Sequence, residues 1–212
     1  MRSILENSMS VHESFEEMDR FFSGTGKVHT TLKTLAAALE QMDINYAVIG
    51  AMALNAHGYR RVTTNVDVLV SREGIESFST RASHLGFVTF AERRRRAFQD
   101  TGTGVIVDFF LSGEFPGDGK LKPVAFPDPG AVTVEIDGIN YVDLPTLVEL
   151  KLASGITRPD RLRDLSDVQD LIRTLRLGTE LADRLDPYVR ATYMTLLKEL
   201  DSPDPHVERP KG

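Results

Sequence analysis

Two carboxylates interrupt apolar stretches of the sequence. Asp67 lies within the run 66–70, and Asp108 lies within the run 105–111. Burying a carboxylate is costly unless it is paired or binds a metal, so acids at these positions suggest chemistry. Asn65 comes two residues before Asp67, and residues i and i+2 of a strand point to the same face. The spacing therefore predicts that positions 65 and 67 present two side chains to the same site.

The segment before Asp67 has the pattern of a strand, a tight turn and a short helix. The apolar run 46–49 predicts a buried strand, and Gly50 permits a sharp turn because it has no Cβ. Residues 51–57 favour a short helix that ends at a glycine. Backbone N–H groups at such a turn can bind phosphate, so Gly50 and Ala51 are candidate nucleotide contacts. An ordinary strand-to-helix turn is the alternative.

Residues 46–70 resemble the nucleotidyltransferase superfamily of the DNA polymerase β type. The resemblance is closest to its minimal members and to the toxin-type enzymes of abortive-infection systems. In that family a Gly-Gly or Gly-Ser pair follows the first strand, and Arg-x-Thr precedes an Asp-x-Asp pair on the second. The corresponding residues are Gly50-Ala51, Arg61-Val62-Thr63 and Asn65-Val66-Asp67. The chain keeps this frame but departs from it at the second small residue and at the first acid.

A second resemblance to the toxin-type enzymes covers residues 144–172. Those enzymes have a Lys on a helix after the sheet and Arg-Asp-x-x-Asp on the next helix, which Lys151 and Arg163-Asp164-Leu-Ser-Asp167 match. The resemblance implies that Lys151 points into a cleft at phosphate and that Asp164 pairs with Lys151 or Arg163. The alternatives are a Lys151 that extends to solvent and a solvated acidic helix face.

The resemblance implies Mg²⁺-dependent transfer of a nucleoside monophosphate from an NTP. Carboxylates that bridge two Mg²⁺ ions can hold the attacking and leaving oxygens, whereas the uncharged Asn65 should weaken metal binding. The implied catalytic residues are Asp67, Asp108 and Lys151, and the implied metal ligands are Asn65, Asp67 and Asp108. The implied nucleotide-binding residues are Gly50, Ala51, Arg61, Thr63, Lys151 and Asp164.

Two other functions are open at this stage. Asn65 lacks a charge and Ala51 lacks a hydroxyl, so the chain could be a catalytically degenerate nucleotide- or partner-binding protein of the same fold. It could also be an interaction protein, such as one half of a toxin–antitoxin pair. For an active enzyme the acceptor would be tRNA, a protein side chain or a small molecule, and a cognate antitoxin is a candidate partner. The run 93–96 of four arginines could bind a phosphate backbone or simply be solvated.

The resemblance implies an α+β fold: a polymerase-β-like core, with a short mixed sheet flanked by helices, and a helical C-terminal region. We expect 1–143 to form the core with its N-terminal helices, 144–200 the helical region and 201–212 a disordered tail. Hydrophobic periodicity predicts helices at 11–22, 28–42, 51–57, 72–85, 145–153, 161–175, 181–185 and 187–200. It predicts strands at 46–49, 66–70, 87–90, 105–111, 132–136 and 139–142. Residues 112–130 form a long loop, and Leu162 is expected to face the core.

Composition excludes several other classes of protein. Of 212 residues, 41% are hydrophobic and 26% charged, which is ordinary for a soluble globular protein. No apolar stretch is long enough to cross a bilayer, and no secretory signal is visible. The absence of cysteine excludes disulfides and favours the cytoplasm. A net charge of −6 argues against a general nucleic-acid coat protein.

Overall fold

Seven strands form one mixed sheet in the computed structural model, which describes residues 11–90 and 96–201. The strands are β1 (Tyr46–Ile49), β2 (Asn65–Val70), β3 (Phe87–Thr89), β4 (Ala97–Asp100), β5 (Ile106–Leu111), β6 (Thr133–Ile136) and β7 (Ile139–Val142). Their order is β3-β4-β5-β2-β1-β7-β6. The pairs β2–β5 and β1–β7 are parallel, and the other neighbours are antiparallel. The predicted α+β class is confirmed.

The central strands separate a core face from a polar face. In β2 the side chains of Val66 and Val68 are fully buried, whereas Asn65 and Asp67 are partly exposed. β5 repeats the pattern, since Asp108 is partly exposed between two buried neighbours. This alternation follows from the two-residue period of a strand. It confirms that positions 65 and 67 share one face of the sheet.

Eight α-helices occur in the described residues, and they surround the sheet. They are α1 (Val11–Phe22), α2 (Lys27–Gln41), α3 (Gly50–Ala56), α4 (Arg72–Arg81), α5 (Leu144–Thr157), α6 (Leu162–Leu175), α7 (Thr179–Ala182) and α8 (Pro187–Asp201). Asp143 begins α5 by accepting a hydrogen bond from the Thr146 N–H at 2.9 Å. Pro145 suits the first turn of that helix because the first N–H groups have no partner within the helix.

Two regions of one hydrophobic core hold these layers together. Phe78 of α4 packs against the rings of Phe87, Phe98 and Phe109, with centroids 5.0 to 5.5 Å apart. This aromatic cluster fixes α4 on the β3-β4-β5 side of the sheet. At the other end of the chain, α5, α6 and α8 bury the fully inaccessible side chains Val148, Leu152, Val168, Leu171 and Val189.

Several predicted elements differ from the observed ones. The predicted helix 72–85 ends as an α-helix at Arg81 and continues as a 3₁₀ turn, Ala82–Leu85, before Gly86 reverses the chain at φ +83°. β4 corresponds to no predicted strand. Leu162 does not face the core, because the 3₁₀ turn that precedes α6 leaves it 67% exposed.

Residues 93–95 of the arginine run and 202–212 of the predicted tail lie outside the described residues. The proposed division of the chain at residue 143 stays a prediction. None of the helices in 11–90 and 96–201 has the length and apolar character needed to span a membrane.

Candidate active-site cleft

A cleft of about 1050 Å³ lies where the polar face of the sheet meets α5 and the start of α6. Its walls contain every residue that the sequence suggested for catalysis, metal binding or nucleotide binding. These are Gly50, Ala51, Arg61, Thr63, Asn65, Asp67, Asp108, Lys151 and Asp164. Residues from three separate parts of the sequence thus meet in one place. Their chemical roles remain predictions.

The sheet wall of the cleft consists of Thr63, Asn65, Asp67 and Asp108. Asp67 and Asp108 are direct neighbours across the parallel pair β2–β5. The amide nitrogen of Asn65 donates to Asp67 Oδ1 at 2.8 Å and to Asp108 Oδ2 at 3.1 Å. Its oxygen accepts from Thr63 Oγ1 at 2.9 Å. An uncharged amide therefore lies between two carboxylates, and Thr63 fixes its orientation.

The carboxylate of Asp67 has an altered acidity. Burial raises its pKa to about 6, and the neighbouring charge of Asp108 acts in the same direction. The more distant cations Lys151, Arg161 and Arg61 oppose this rise in pKa but do not cancel it. The negative charge of the sheet wall is therefore compensated only in part by the protein.

Two features of the structure favour glycine at position 50. Its φ is +64°, a conformation that residues with a Cβ rarely adopt. A Cβ at this position would also overlap the Oδ2 oxygen of Asp67. The turn that begins α3 therefore lies directly against the Asp67 carboxylate.

The helix wall of the cleft contains Arg61, Lys151, Ser154 and Asp164, and the buried Asp167 pairs with this wall without lining the cleft itself. Lys151 is only 6% exposed, and its Nζ lies 2.6 Å from Asp167 Oδ2 and 3.1 Å from Asp164 Oδ1. Arg61 also pairs with Asp167 Oδ2, and Ser154 Oγ donates to Asp164 Oδ2 at 2.7 Å. Of the two partners expected for Asp164, Lys151 is the one observed. Asp167 connects Arg61, on the loop before β2, to Lys151 on α5.

The donor set of the sheet wall suits one hard divalent cation. Among the residues described, no three His, Cys, Asp or Glu side chains cluster as metal ligands, and the side chain between Asp67 and Asp108 is the amide of Asn65. Asp67, Asp108 and the amide of Asn65 offer the oxygen ligands that Mg²⁺ prefers. The amide oxygen faces Thr63, so the amide would have to rotate before it could bind a cation.

Sequence reasoning missed part of the cleft. The loop 112–130 supplies residues 113–119 to one wall. Gly117 approaches α5 so closely that a Cβ there would overlap Thr157 Oγ1, and Arg96 Nη1 holds Glu114 Oε2 at 2.6 Å. In the sequence, the length of this loop was the only indication that it could contribute to a functional site. The segment 158–161 between α5 and α6 contributes two further cations, Arg158 and Arg161.

Comparisons with known proteins detect only structural similarity. No protein-family model and no curated protein matches the chain. A crystal structure of ANT(2″)-Ia in complex with adenylyl-2″-tobramycin is similar with a TM-score of 0.53 at 12% identity, over 78% of this chain and 96% of that one. The solution structure of the antibiotic-resistance factor ANT(2″)-Ia gives 0.50 at 14% identity, over 81% and 94%. JHP933 from Helicobacter pylori gives 0.47 at 14% identity, over 92% and 84%.

The chain therefore has the nucleotidyltransferase fold. This confirms the fold that the resemblance implied. At 12% and 14% identity the similarity establishes the fold alone, so the reaction and the roles of individual residues have to be argued from the cleft itself.

Proposed function

We propose that the chain is a Mg²⁺-dependent nucleotidyltransferase that moves a nucleoside monophosphate from an NTP to an acceptor hydroxyl. The observation that carries this proposal is the position of Asp67 and Asp108. They face the same cleft from adjacent strands, and an uncharged amide lies between them. A pair of acids in this position costs stability unless a cation binds to it.

Each wall of the cleft has a proposed task. Asp67 and Asp108 would hold Mg²⁺ with the amide oxygen of Asn65, and the bound ion would neutralise charge on phosphate and acceptor oxygens. The turn at Gly50 and Ala51 would offer backbone N–H groups to the phosphates. The remaining predicted residues act through others. Thr63 would orient Asn65, and Asp167 would hold Arg61 in place. Asp164 would position Lys151, whose positive charge faces the cleft.

The acceptor is proposed as an RNA end, a protein side chain or a small molecule. The ANT(2″)-Ia structure contains an adenylylated small molecule, which supports the third class by analogy. The resemblance to abortive-infection enzymes supports a toxin role, with tRNA or a protein as target, a cognate antitoxin as partner and the cytoplasm as location.

A second candidate function rests on the amide of Asn65. Because its nitrogen already bridges Asp67 and Asp108, part of the charge compensation that a metal would supply is present without one. This favours a protein of the same fold that binds a nucleotide or partner without transfer.

Transfer and binding can be separated in one experiment. Each NTP, labelled on the α-phosphate, is incubated with the protein and RNA, protein or small-molecule acceptor pools, with and without Mg²⁺. Pyrophosphate release and labelled acceptor are measured, and binding is followed by calorimetry. Asp67→Asn should abolish transfer, whereas Asp43→Asn, at an exposed position outside the cleft, should leave it unchanged. Mg²⁺-dependent binding without pyrophosphate release would favour the second function, and no NTP binding would contradict both.

A further inference from the structure

Lys151 and Arg61 are the two cations for which the sequence predicted phosphate contacts. Both already form ion pairs with carboxylates of the protein. Lys151 contacts Asp164 and Asp167, and Arg61 contacts Asp167. Two positive and two negative side chains thus form a neutral, mostly buried cluster. A phosphate that recruited Lys151 or Arg61 away from this cluster would leave a buried carboxylate without its partner, which is costly.

Arg161 is placed differently. It ends the 3₁₀ turn Pro159–Arg161 between α5 and α6, lines the cleft, and has a side chain that is 51% exposed. Its Nη1 lies 3.8 Å from Asp164 Oδ2, which is longer than a hydrogen bond. The guanidinium is therefore directed into the cleft but weakly held.

Arg158, the residue immediately before this turn, shows the contrast. It lines the same cleft, but its Nε and Nη2 donate to the two carboxylate oxygens of Asp160, with Nε 2.8 Å from Oδ1. This forked pair occupies the donors that a phosphate would otherwise accept from. Of the two arginines, Arg161 is the one whose planar donor set can turn toward a ligand without losing a hydrogen bond.

We propose that Arg161 binds the β- and γ-phosphates of the NTP, and that Lys151 and Arg61 serve mainly to fix the helix wall. The inference rests on the proposed function and adds a binding residue to it. A guanidinium can donate two parallel hydrogen bonds to phosphate oxygens. Arg161 lines the same cleft as Asp67 and Asp108, so its positive charge would face a triphosphate bound there with the cation.

The test measures affinity as a function of phosphate number. ATP, ADP, AMP and tripolyphosphate are titrated with Mg²⁺ into the wild type and into Arg161→Ala, Arg161→Lys and Arg158→Ala. Arg173→Ala removes an arginine from the same region, at a 61% exposed position on α6 outside the cleft, and controls for the change in net charge. We expect Arg161→Ala to weaken ATP and tripolyphosphate binding roughly ten-fold or more, as for loss of a charged hydrogen bond. AMP binding should change less than about two-fold, and Arg161→Lys should restore part of the loss.

The outcomes distinguish this inference from the proposed function. If the wild type binds ATP and Arg161→Ala binds it equally well, or loses ATP and AMP alike, Arg161 is not the phosphate residue while the proposed function stands. An effect of Arg158→Ala or Arg173→Ala as large as that of Arg161→Ala would also overturn the inference. If the wild type binds no nucleotide, both the role of Arg161 and the proposed function are contradicted. Thermal unfolding of each variant tests whether the fold is intact, and Arg161→Gln replaces Arg161→Ala if that variant fails to fold.

Discussion

The two walls of the cleft satisfy their charges in different ways. On the helix wall, two carboxylates meet two cations and a hydroxyl, and every one of these side chains has a partner. On the sheet wall, the side chain that bridges Asp67 and Asp108 is the neutral amide of Asn65, and the pKa of Asp67 stays raised. The helix wall pairs its charges within the protein, although among the described residues the buried Arg61 Nε has no hydrogen-bond partner, and the sheet wall is short of positive charge.

This difference suggests that one wall contributes mainly to stability and the other mainly to ligand binding. The helix wall joins α5 and α6 to the loop before β2, since Asp167 binds both Lys151 and Arg61. Its main contribution is then to the stability of the cleft. The sheet wall gains most from a bound cation, so its contribution is to ligand binding. Substitutions in the two walls should consequently affect different measurements.

The largest effect on stability is expected for Asp167→Ala. Asp167 is 3% exposed, and its removal leaves the buried Lys151 and the mostly buried Arg61 without their shared partner. Breaking a buried pair in this way typically costs about 3–5 kcal/mol, which urea unfolding would detect. Asp160→Ala breaks an exposed pair with Arg158 and serves as the control, with no measurable change expected. Equal effects of the two substitutions would show that the helix wall does not stabilise the cleft.

Gly50→Ala should have the next largest effect, and it should damage both stability and function. The alanine must adopt a φ of +64° and must also displace Asp67. Gly138→Ala provides the matched control, because Gly138 has a φ of +75° and no atom lies within 4 Å of the point where its Cβ would be. The control should lose about 1 kcal/mol of unfolding free energy.

For Gly50→Ala we expect a loss of about 2 kcal/mol or more, together with loss of Mg²⁺-dependent nucleotide binding. Denaturant unfolding and calorimetry measure the two quantities. If Gly50→Ala behaves like Gly138→Ala in both assays, the contact between Gly50 and Asp67 has no role in the sheet wall.

Most of the fold was predictable because its central elements are strongly patterned. The runs that became β1, β2 and β5 are apolar except where they face the cleft, and Gly50 marks the end of β1. β4 escaped prediction because it is four residues long and carries an acid, Asp100. That acid is buried and accepts a hydrogen bond from Thr31 Oγ1 at 2.7 Å. A buried acid in a strand is therefore not by itself a sign of catalysis.

The convergence of the candidate site was also predictable, but its electrostatics were not. The two-residue period and the family frame placed Asn65, Asp67 and Asp108 together. Sequence alone could not show that Lys151 would be engaged by Asp167, since that pairing depends on how α5 packs against α6. The role of Arg161 was not predictable either. In the sequence, an arginine in a polar turn that binds a ligand looks the same as one that is merely solvated, and only the position of the turn at the cleft distinguishes them.

The smallest expected effect, and the one that tests the sheet wall most directly, is that of Asn65→Asp. The substitution places a third carboxylate beside Asp67 and Asp108 and removes the amide that bridges them. Without metal, repulsion among the three acids should lower the free energy of unfolding. With Mg²⁺, the added charge should tighten binding about ten-fold, which corresponds to about 1.4 kcal/mol. Calorimetric titration of Mg²⁺, alone and with ATP, measures this change.

Asn45→Asp is the matched control for Asn65→Asp, because it adds the same charge at an exposed position outside the cleft. Mg²⁺ affinity should stay at the wild-type value in this control. Unchanged affinity in Asn65→Asp as well would mean that the sheet wall is not a cation site, and that the amide between Asp67 and Asp108 has a structural role. A gain confined to Asn65→Asp would instead show that the sheet wall binds the cation and that Asn65 lowers the affinity of that site.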